Sequence, residues 1–140
     1  MYKAKDYIYK AIVESILVEE GVTLKEGVTL TLDNSEDIYD CPDEFLEGDY
    51  LEDKMSDALY EIRHTGEEIS LSPKNYSRHY EVDCVVSKFD DVWIAWDYYY
   101  GGGKHADPDA IEWISDAEIL NLDKEEEVVT VVRTFSRKEK

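Results

Sequence analysis

An aromatic stretch, residues 80–103, constrains the fold of this chain more than any other part of it. In its first arm, 80–87, apolar side chains occupy every second position, which is typical of a strand with one apolar face. Its second arm, 92–100, is apolar or aromatic at nearly every position, which indicates a strand covered on both faces near the middle of a sheet. Residues 88–91 between the arms are few enough for a hairpin loop. The pattern predicts a central antiparallel hairpin, with one of its two tryptophans, Trp93 or Trp96, in the core.

Two segments carry the periodicity of amphipathic helices. In residues 3–20, isoleucines recur every fourth position, and Gly21 is a suitable C-terminal stop. In residues 50–63, the apolar positions fall at i, i+4, i+8 and i+11, and acidic residues lie between them. These apolar positions are Leu51, Met55, Leu59 and Ile62.

Shorter alternating patterns predict the remaining strands. Residues 22–24 and 28–32 are expected to form two hairpin arms around a Lys-Glu-Gly turn, and 67–72, 110–114 and 127–135 are expected to be further strands. The fold class predicted is α+β: an antiparallel sheet of about six strands with an N-terminal helix and a second, acidic helix. The length is that of a single domain, residues 1–140, in which the basic end, 133–140, frays.

Charge is the outlying property of the composition. The chain has 34 acidic and 15 basic residues, a net charge of −19, and residues 33–61 alone hold twelve acids and one lysine, a net of −11. Such a chain repels nucleic acid and anionic membranes and is attracted to basic surfaces. The expected partner is therefore a protein with a basic surface, with no direct binding to nucleic acid or membrane. Two cysteines without metal-ligand spacing, and no apolar run of membrane-spanning length, predict reduced thiols and a cytoplasmic location.

The motifs that carry chemistry are incomplete. The glycine-rich run before Lys104 lacks the Ser or Thr that a phosphate-binding loop places after its lysine. Residues 33–44 fit a calcium loop in part, but Ile38 stands where that loop needs glycine. The three histidines share no metal-ligand spacing, and Asp97 between two aromatic residues is expected to accept a hydrogen bond from a neighbouring Tyr or Lys or to lie at an edge. We therefore predict no enzyme, no metal and no cofactor.

Carboxylates three or four residues apart on a helix lie about 5–6 Å from one another, close to the spacing of phosphates along one nucleic-acid strand. In size, charge and helix patterning the chain is similar to acidic phage inhibitors of restriction and CRISPR nucleases, including DNA-mimic proteins. This resemblance implies an anti-defence inhibitor that occupies the groove of a basic, nucleic-acid-binding enzyme. The residues expected to bind the partner are Glu47, Asp49, Glu52, Asp53, Asp57 and Glu61.

Three alternatives stay open. The first is an immunity protein or antitoxin that blocks a nuclease toxin with the same acidic surface. The second is a small ligand-binding domain or enzyme that uses the loop 98–105 and Asp97, since loops at strand ends often carry function. Its candidate residues are Tyr99, Tyr100, Lys104 and His105. The third is a structural or regulatory phage protein whose acidity has no specific meaning.

Overall fold

The computed structural model describes residues 2–104, 106–122, 125 and 133–137. Within them the α-helices are α1 (Ala4–Glu19), α2 (Ser35–Asp40), α3 (Pro42–Phe45) and α4 (Leu51–Arg63), and Pro108–Ala110 forms a 3₁₀ turn. The strands are β1 (Thr23–Leu24), β2 (Leu46–Glu47), β3 (Glu67–Glu68), β4 (Glu81–Phe89), β5 (Val92–Tyr100) and β6 (Glu118–Leu120). The predicted α+β class, the antiparallel pairing, the N-terminal helix and the acidic helix are confirmed. The sheet of about six strands is instead a four-stranded sheet, β3-β4-β5-β6, and a separate pair, β1-β2.

The central hairpin forms as the alternation predicts. β4 and β5 pair antiparallel along their whole length, from Glu81 opposite Tyr100 to Phe89 opposite Val92. The turn is tighter than predicted, because only Asp90 and Asp91 lie between the strands and both have positive φ, 47° and 65°. Two positive φ values define the turn type whose twist matches a two-residue hairpin. β5 has a partner strand on each side, which agrees with the prediction of a central strand.

One face of the sheet packs against the helices and forms the main core. It contains the apolar stripes of α1 and α4 together with Val85, Ile94 and Trp96 from the sheet. Trp96 is buried and lies 5.1 Å, centroid to centroid, from Trp113, so the predicted core tryptophan is Trp96, whereas Trp93 is half-buried. The opposite face holds a smaller cluster of Cys84, Val86 and Ala95. Cys41 is exposed, and neither cysteine is in a disulfide.

The predicted hairpin over residues 22–32 is wrong. β1 pairs instead with β2, which lies beyond α2 and α3 in the chain. The Asn34 side chain donates to the Thr29 carbonyl at 2.7 Å and accepts from the Thr31 amide at 2.8 Å. A local side-chain partner thus takes backbone groups that a hairpin ladder would have used.

Three other expectations need correction or lie outside the description. Pro42 and Gly48 predict a long loop over residues 33–48, with room for one helical turn. The segment instead contains two helices, α2 and α3, and the buried Ser35 hydroxyl fixes α2 by donating to the Asp6 carbonyl at 2.9 Å. Residues 110–114 are not a strand, because the Glu112 carboxylate, not a neighbouring strand, accepts from the Ile114 amide at 3.1 Å. Most of the strand predicted over 127–135 lies outside the described residues; 133–135 are described and have no regular secondary structure.

Candidate functional site

The six acidic residues predicted to bind a partner lie along α4 and the segment just before it. The apolar positions of the helix, Leu51, Met55, Ala58 and Ile62, are buried in the core, which turns the acidic positions outward. Glu47 ends β2, Asp49 lies in the following bend, and Asp53, Asp57 and Glu61 follow one another at i, i+4 and i+8 on α4. All six are exposed. We call this set the acidic stripe: Glu47, Asp49, Glu52, Asp53, Asp57 and Glu61.

The acidic stripe has little local charge compensation. The ion pairs formed within the described ranges involve none of its six carboxylates. Lys54, the only base between them, instead donates to the Glu20 backbone carbonyl at 3.3 Å. Glu52 and Asp53 occupy the first turn of the helix, where negative charge is favourable because the helix dipole is positive there. The acidic residues of the stripe are therefore compatible with a stable α4, and they form a surface that attracts cations.

Two tyrosines that the sequence pattern did not single out flank the acidic stripe. Tyr50 precedes α4 and is 79% exposed, and Tyr60 is 53% exposed one residue before Glu61. Tyr50 has a left-handed backbone conformation, φ 55° and ψ 43°, which costs a non-glycine residue about 1–2 kcal/mol. Exposed tyrosines next to charges are common at protein interfaces, because they bury a large area at low entropic cost. The sequence could have indicated them by position, because Tyr50 stands at the start of the predicted helix and Tyr60 stands between acidic residues.

The second candidate site does not converge on one surface. Tyr99 and Tyr100 are neighbours in β5 and point to opposite faces, and Tyr99 is buried while Tyr100 is partly exposed. Burial and the charge of Asp97 raise the pKa of Tyr99, whereas hydrogen bonding to Asp83 raises the pKa of Tyr100. Lys104 is exposed, and His105 lies outside the described residues. Tyr99 is therefore a buried residue that stabilises the fold. Of this set, only Tyr100 and Lys104 are described at the surface.

A polar cluster at the C-terminal end of α4 was also not predicted. The Arg63 side chain is only 2% exposed, donates to the Asp109 carboxylate and to the Tyr99 carbonyl, and places its guanidinium carbon 4.5 Å from the Tyr98 ring centroid. His64 lies between Asp109 and Tyr98, with Nε2 3.1 Å from Asp109 Oδ1 and Nδ1 2.7 Å from the Tyr98 oxygen.

An Asp-His-Tyr chain has the order of groups that activates a hydroxyl in hydrolases. Here the neighbouring arginine is already bonded to protein groups, and neither His64 nor Tyr98 lines the main cavities of the described residues. The contacts of the cluster tie α4 to β5 and to the 3₁₀ turn.

Asp97 is more deeply buried than the sequence pattern indicated. It is 4% exposed and accepts from the backbone amides of Lys74 and Asn75, each at 2.9 Å, and from the Asn75 side chain at 2.9 Å. The partners are mainly backbone groups, not a neighbouring Tyr or Lys side chain, and the strand is central, not at an edge. The carboxylate fixes the segment 73–80 across the second face of the sheet.

Metal ligation has no support in the described part of the chain, where no group of three or more His, Cys, Asp or Glu side chains is arranged to hold an ion. The segment 33–44, which fits a calcium loop in part, folds into α2 and α3, and two of its carboxylates bind other side chains. Asp33 accepts from the Tyr2 hydroxyl at 3.2 Å, and Glu36 accepts from Lys5 at 2.8 Å.

None of the helices in the described ranges has the length and apolar character needed to cross a bilayer. The chain matches no protein-family model, no curated protein and no solved structure.

Proposed function

We propose that this protein is a small acidic inhibitor that binds a basic, nucleic-acid-binding enzyme, with the acidic stripe in place of the nucleic acid. The observation that supports this most directly is the exposure of all six stripe carboxylates without an ion pair in the described residues. An unpaired row of charges is available to lysines and arginines of a partner. Enzymes that cut or modify DNA or RNA carry such basic grooves, as restriction and CRISPR nucleases and nuclease toxins do.

The spacing of the acidic stripe supports mimicry of a nucleic acid. One i to i+4 step along a helix is about 6 Å, so Asp53, Asp57 and Glu61 extend over about 12 Å in a nearly straight row. A basic groove built for one strand meets phosphates at a comparable separation. Rim carboxylates contribute little affinity one by one, and together they steer association and set its salt dependence.

In this proposal, Tyr50 and Tyr60 supply the part of the binding energy that the stripe carboxylates do not. Interfaces gain most of their binding energy from a few buried aromatic or arginine side chains, and charge contributes to rate and specificity. The two exposed tyrosines at the stripe fit this division of roles. The proposed role is one of binding, so no catalytic step is assigned to the chain.

The test compares four forms of the tagged protein in pull-downs from a bacterial lysate, with duplex DNA as competitor and mass spectrometry as readout. The stripe variant carries Asp49, Asp53 and Asp57 to Lys. The matched control carries Glu26, Glu68 and Glu125 to Lys, which are exposed, lie outside α4 and change the net charge equally. The loop variant carries Tyr100 and Lys104 to Ala.

We expect wild type, control and loop variant to capture the same basic nucleic-acid enzyme, and duplex DNA to displace it. The stripe variant should lose it, and the affinity of the wild type should fall steeply as salt rises. Unchanged capture by the stripe variant would refute the proposal. Loss in the loop variant alone would place binding at the end of β5, and equal loss in the control would reduce the effect to net charge.

A further inference from the structure

A second surface differs from the rest of this acidic molecule. The segment 73–80 and the glycine loop after β5 enclose a cavity of about 380 Å³, within the range of small-ligand sites. Its lining includes Tyr76, Ser77, Arg78, His79 and Tyr80, together with Gly102. Among the described residues, Glu81 is the one acidic side chain that lines it. The one arginine and the one carboxylate carry opposite charges, so this cavity lacks the strong negative charge of the chain as a whole, net −19.

Hydrogen bonds hold this cavity in shape before any ligand enters. Asp97 anchors the start of the segment through the amides of Lys74 and Asn75. At the other end, Ser77 Oγ accepts from the amides of His79 and Tyr80, each at 3.2 Å. A preformed site loses less conformational entropy on binding than a loose loop does.

Gly102 and Tyr80 lie against each other in the wall of the cavity. Gly102 has φ +89°, and a Cβ at this position would lie 2.7 Å from the Tyr80 ring, so only glycine lets the loop come this close. The Tyr80 hydroxyl accepts from the Asp107 amide at 3.3 Å, which joins the segment to the chain beyond the glycines. The middle one of the three consecutive glycines thus has a structural use at this cavity.

The donors in the cavity suit an oxyanion. Arg78 forms no ion pair with another side chain of the described residues, and the same holds for His79. A guanidinium binds a phosphate or a carboxylate through two parallel hydrogen bonds. The Ser77 oxygen already accepts two backbone hydrogen bonds, which leaves its O–H free to donate.

The same cavity offers flat apolar surfaces. Tyr76 is 86% exposed at its rim, an unusual exposure for a large ring, and Tyr80 and Pro73 form part of its wall. Aromatic side chains stack on the faces of nucleobases and contribute about 1–3 kcal/mol for each base. A cation and two tyrosines on one small cavity match a ligand that combines an anion with a planar ring.

We propose that this cavity binds a mononucleotide, with the phosphate held by Arg78 and the base against Tyr76 and Tyr80. The net charge of the molecule does not prevent this. At physiological salt the Debye length is about 8 Å, so exposed carboxylates farther from the ligand than this are largely screened. A long nucleic acid would still meet the acidic surface beyond the cavity, which restricts the site to a short ligand.

The test follows the amide resonances of residues 73–82 during titration with adenosine monophosphate, adenosine or inorganic phosphate, in about 0.15 M salt. Arg78→Gln removes the proposed phosphate ligand. Arg137→Gln is the matched control, because it removes the same charge from an exposed arginine that does not line the cavity. His79→Gln and Tyr76→Ala are second variants for the anion and the ring.

We expect saturable shifts with adenosine monophosphate and at least about tenfold weaker binding of adenosine and of phosphate alone. Arg78→Gln should weaken nucleotide binding about tenfold or more and leave adenosine binding unchanged, and Arg137→Gln should behave as wild type. No saturation at about 10 mM nucleotide, equal loss in the Arg137 control, or equal binding of phosphate alone would each overturn the proposal. The stripe variant should bind the nucleotide as wild type does, which separates this test from that of the inhibitor function.

Discussion

The carboxylate of Asp97, in the middle of β5, lies 2.9 Å from the backbone nitrogen of Asn75, 22 residues earlier in the chain. It binds the Lys74 amide at the same distance. One buried side chain therefore replaces a strand partner for the segment that crosses the second face of the sheet. The candidate nucleotide cavity depends on this anchor, because the anchored segment forms most of its wall.

Replacement of Asp97 by Ala should lower the free energy of unfolding by about 2–4 kcal/mol, since two backbone donors lose their acceptor. The measurement is urea denaturation together with hydrogen exchange at the Lys74 and Asn75 amides, which should speed up. Asp116→Ala is the control, because Asp116 is exposed and, among the described residues, accepts only from the Asn75 side chain. Its expected cost is below about 0.5 kcal/mol. Equal losses of unfolding free energy in the two variants would show that the hydrogen bonds from the backbone to Asp97 contribute no more than the side-chain contact of Asp116.

The pair of Arg63 and Asp109 should contribute more to stability than the surface ion pairs do. Asp109→Asn leaves the guanidinium of a residue only 2% exposed without its counter-charge, and we expect a loss of about 2–3 kcal/mol. This is below the cost for a fully buried pair because Asp109 itself is partly exposed. Glu36→Gln, which breaks the half-exposed pair with Lys5, should cost less than about 1 kcal/mol. Thermal and urea unfolding of both variants decide this, and similar losses would contradict the expectation.

Trp96 should be the costliest aromatic residue of the hairpin to truncate. Trp96→Ala removes a buried ring that contacts Trp113 and Phe89, and should lower the free energy of unfolding by about 3–5 kcal/mol. Trp93→Ala, on the opposite face and half-buried, should cost clearly less. If Trp93→Ala lost more stability than Trp96→Ala in urea denaturation, the main core would have to lie on the Trp93 face of the sheet.

Alkaline pH should destabilise the fold through Tyr9. Burial, with the nearby charge of Glu36 as a smaller cause, raises the pKa of Tyr9 from 10.0 to about 12. The neutral phenol is thus favoured in the folded state, so its contribution is complete below pH 10 and is lost as pH rises from 10 toward 12. The slope is at most about 1.4 kcal/mol per pH unit. Tyr9→Phe should flatten the loss of stability measured across this range, and an identical pH profile would exclude Tyr9 as its source.

The two thiols should differ in reactivity. Burial and the charges of Asp97 and Glu118 raise the pKa of the Cys84 thiol, so little thiolate forms and reagent has little access to it. Cys41 is exposed. A disulfide reagent at neutral pH should therefore modify one thiol rapidly and the second only after unfolding. Cys41→Ser should abolish the fast phase, and a fast phase that survives would show that Cys84 is accessible.

The sequence by itself determined the elements whose signal is local. Period-two alternation placed β4, a nearly continuous apolar run placed β5, and the helical period placed α1 and α4 within a residue of their observed ends. Both periodicities arise from the backbone geometry of the element itself, so a window of ten to twenty residues contains them. The exposure of the four stripe residues on α4 follows from the same reasoning, because a buried apolar face on α4 forces its acids outward.

The tertiary structure alone decided which segments meet across long sequence separations. The partner of β1, the pairing of Arg63 with Asp109 across 46 residues, and the anchoring of residues 73–80 by Asp97 leave no local pattern. The burial of Tyr99 is of this kind too, since alternation separates it from Tyr100 without telling which face the chain covers. Free energy gained by packing and hydrogen bonding between distant residues selects these contacts, and it overrides short propensity signals such as the alternation at 28–32.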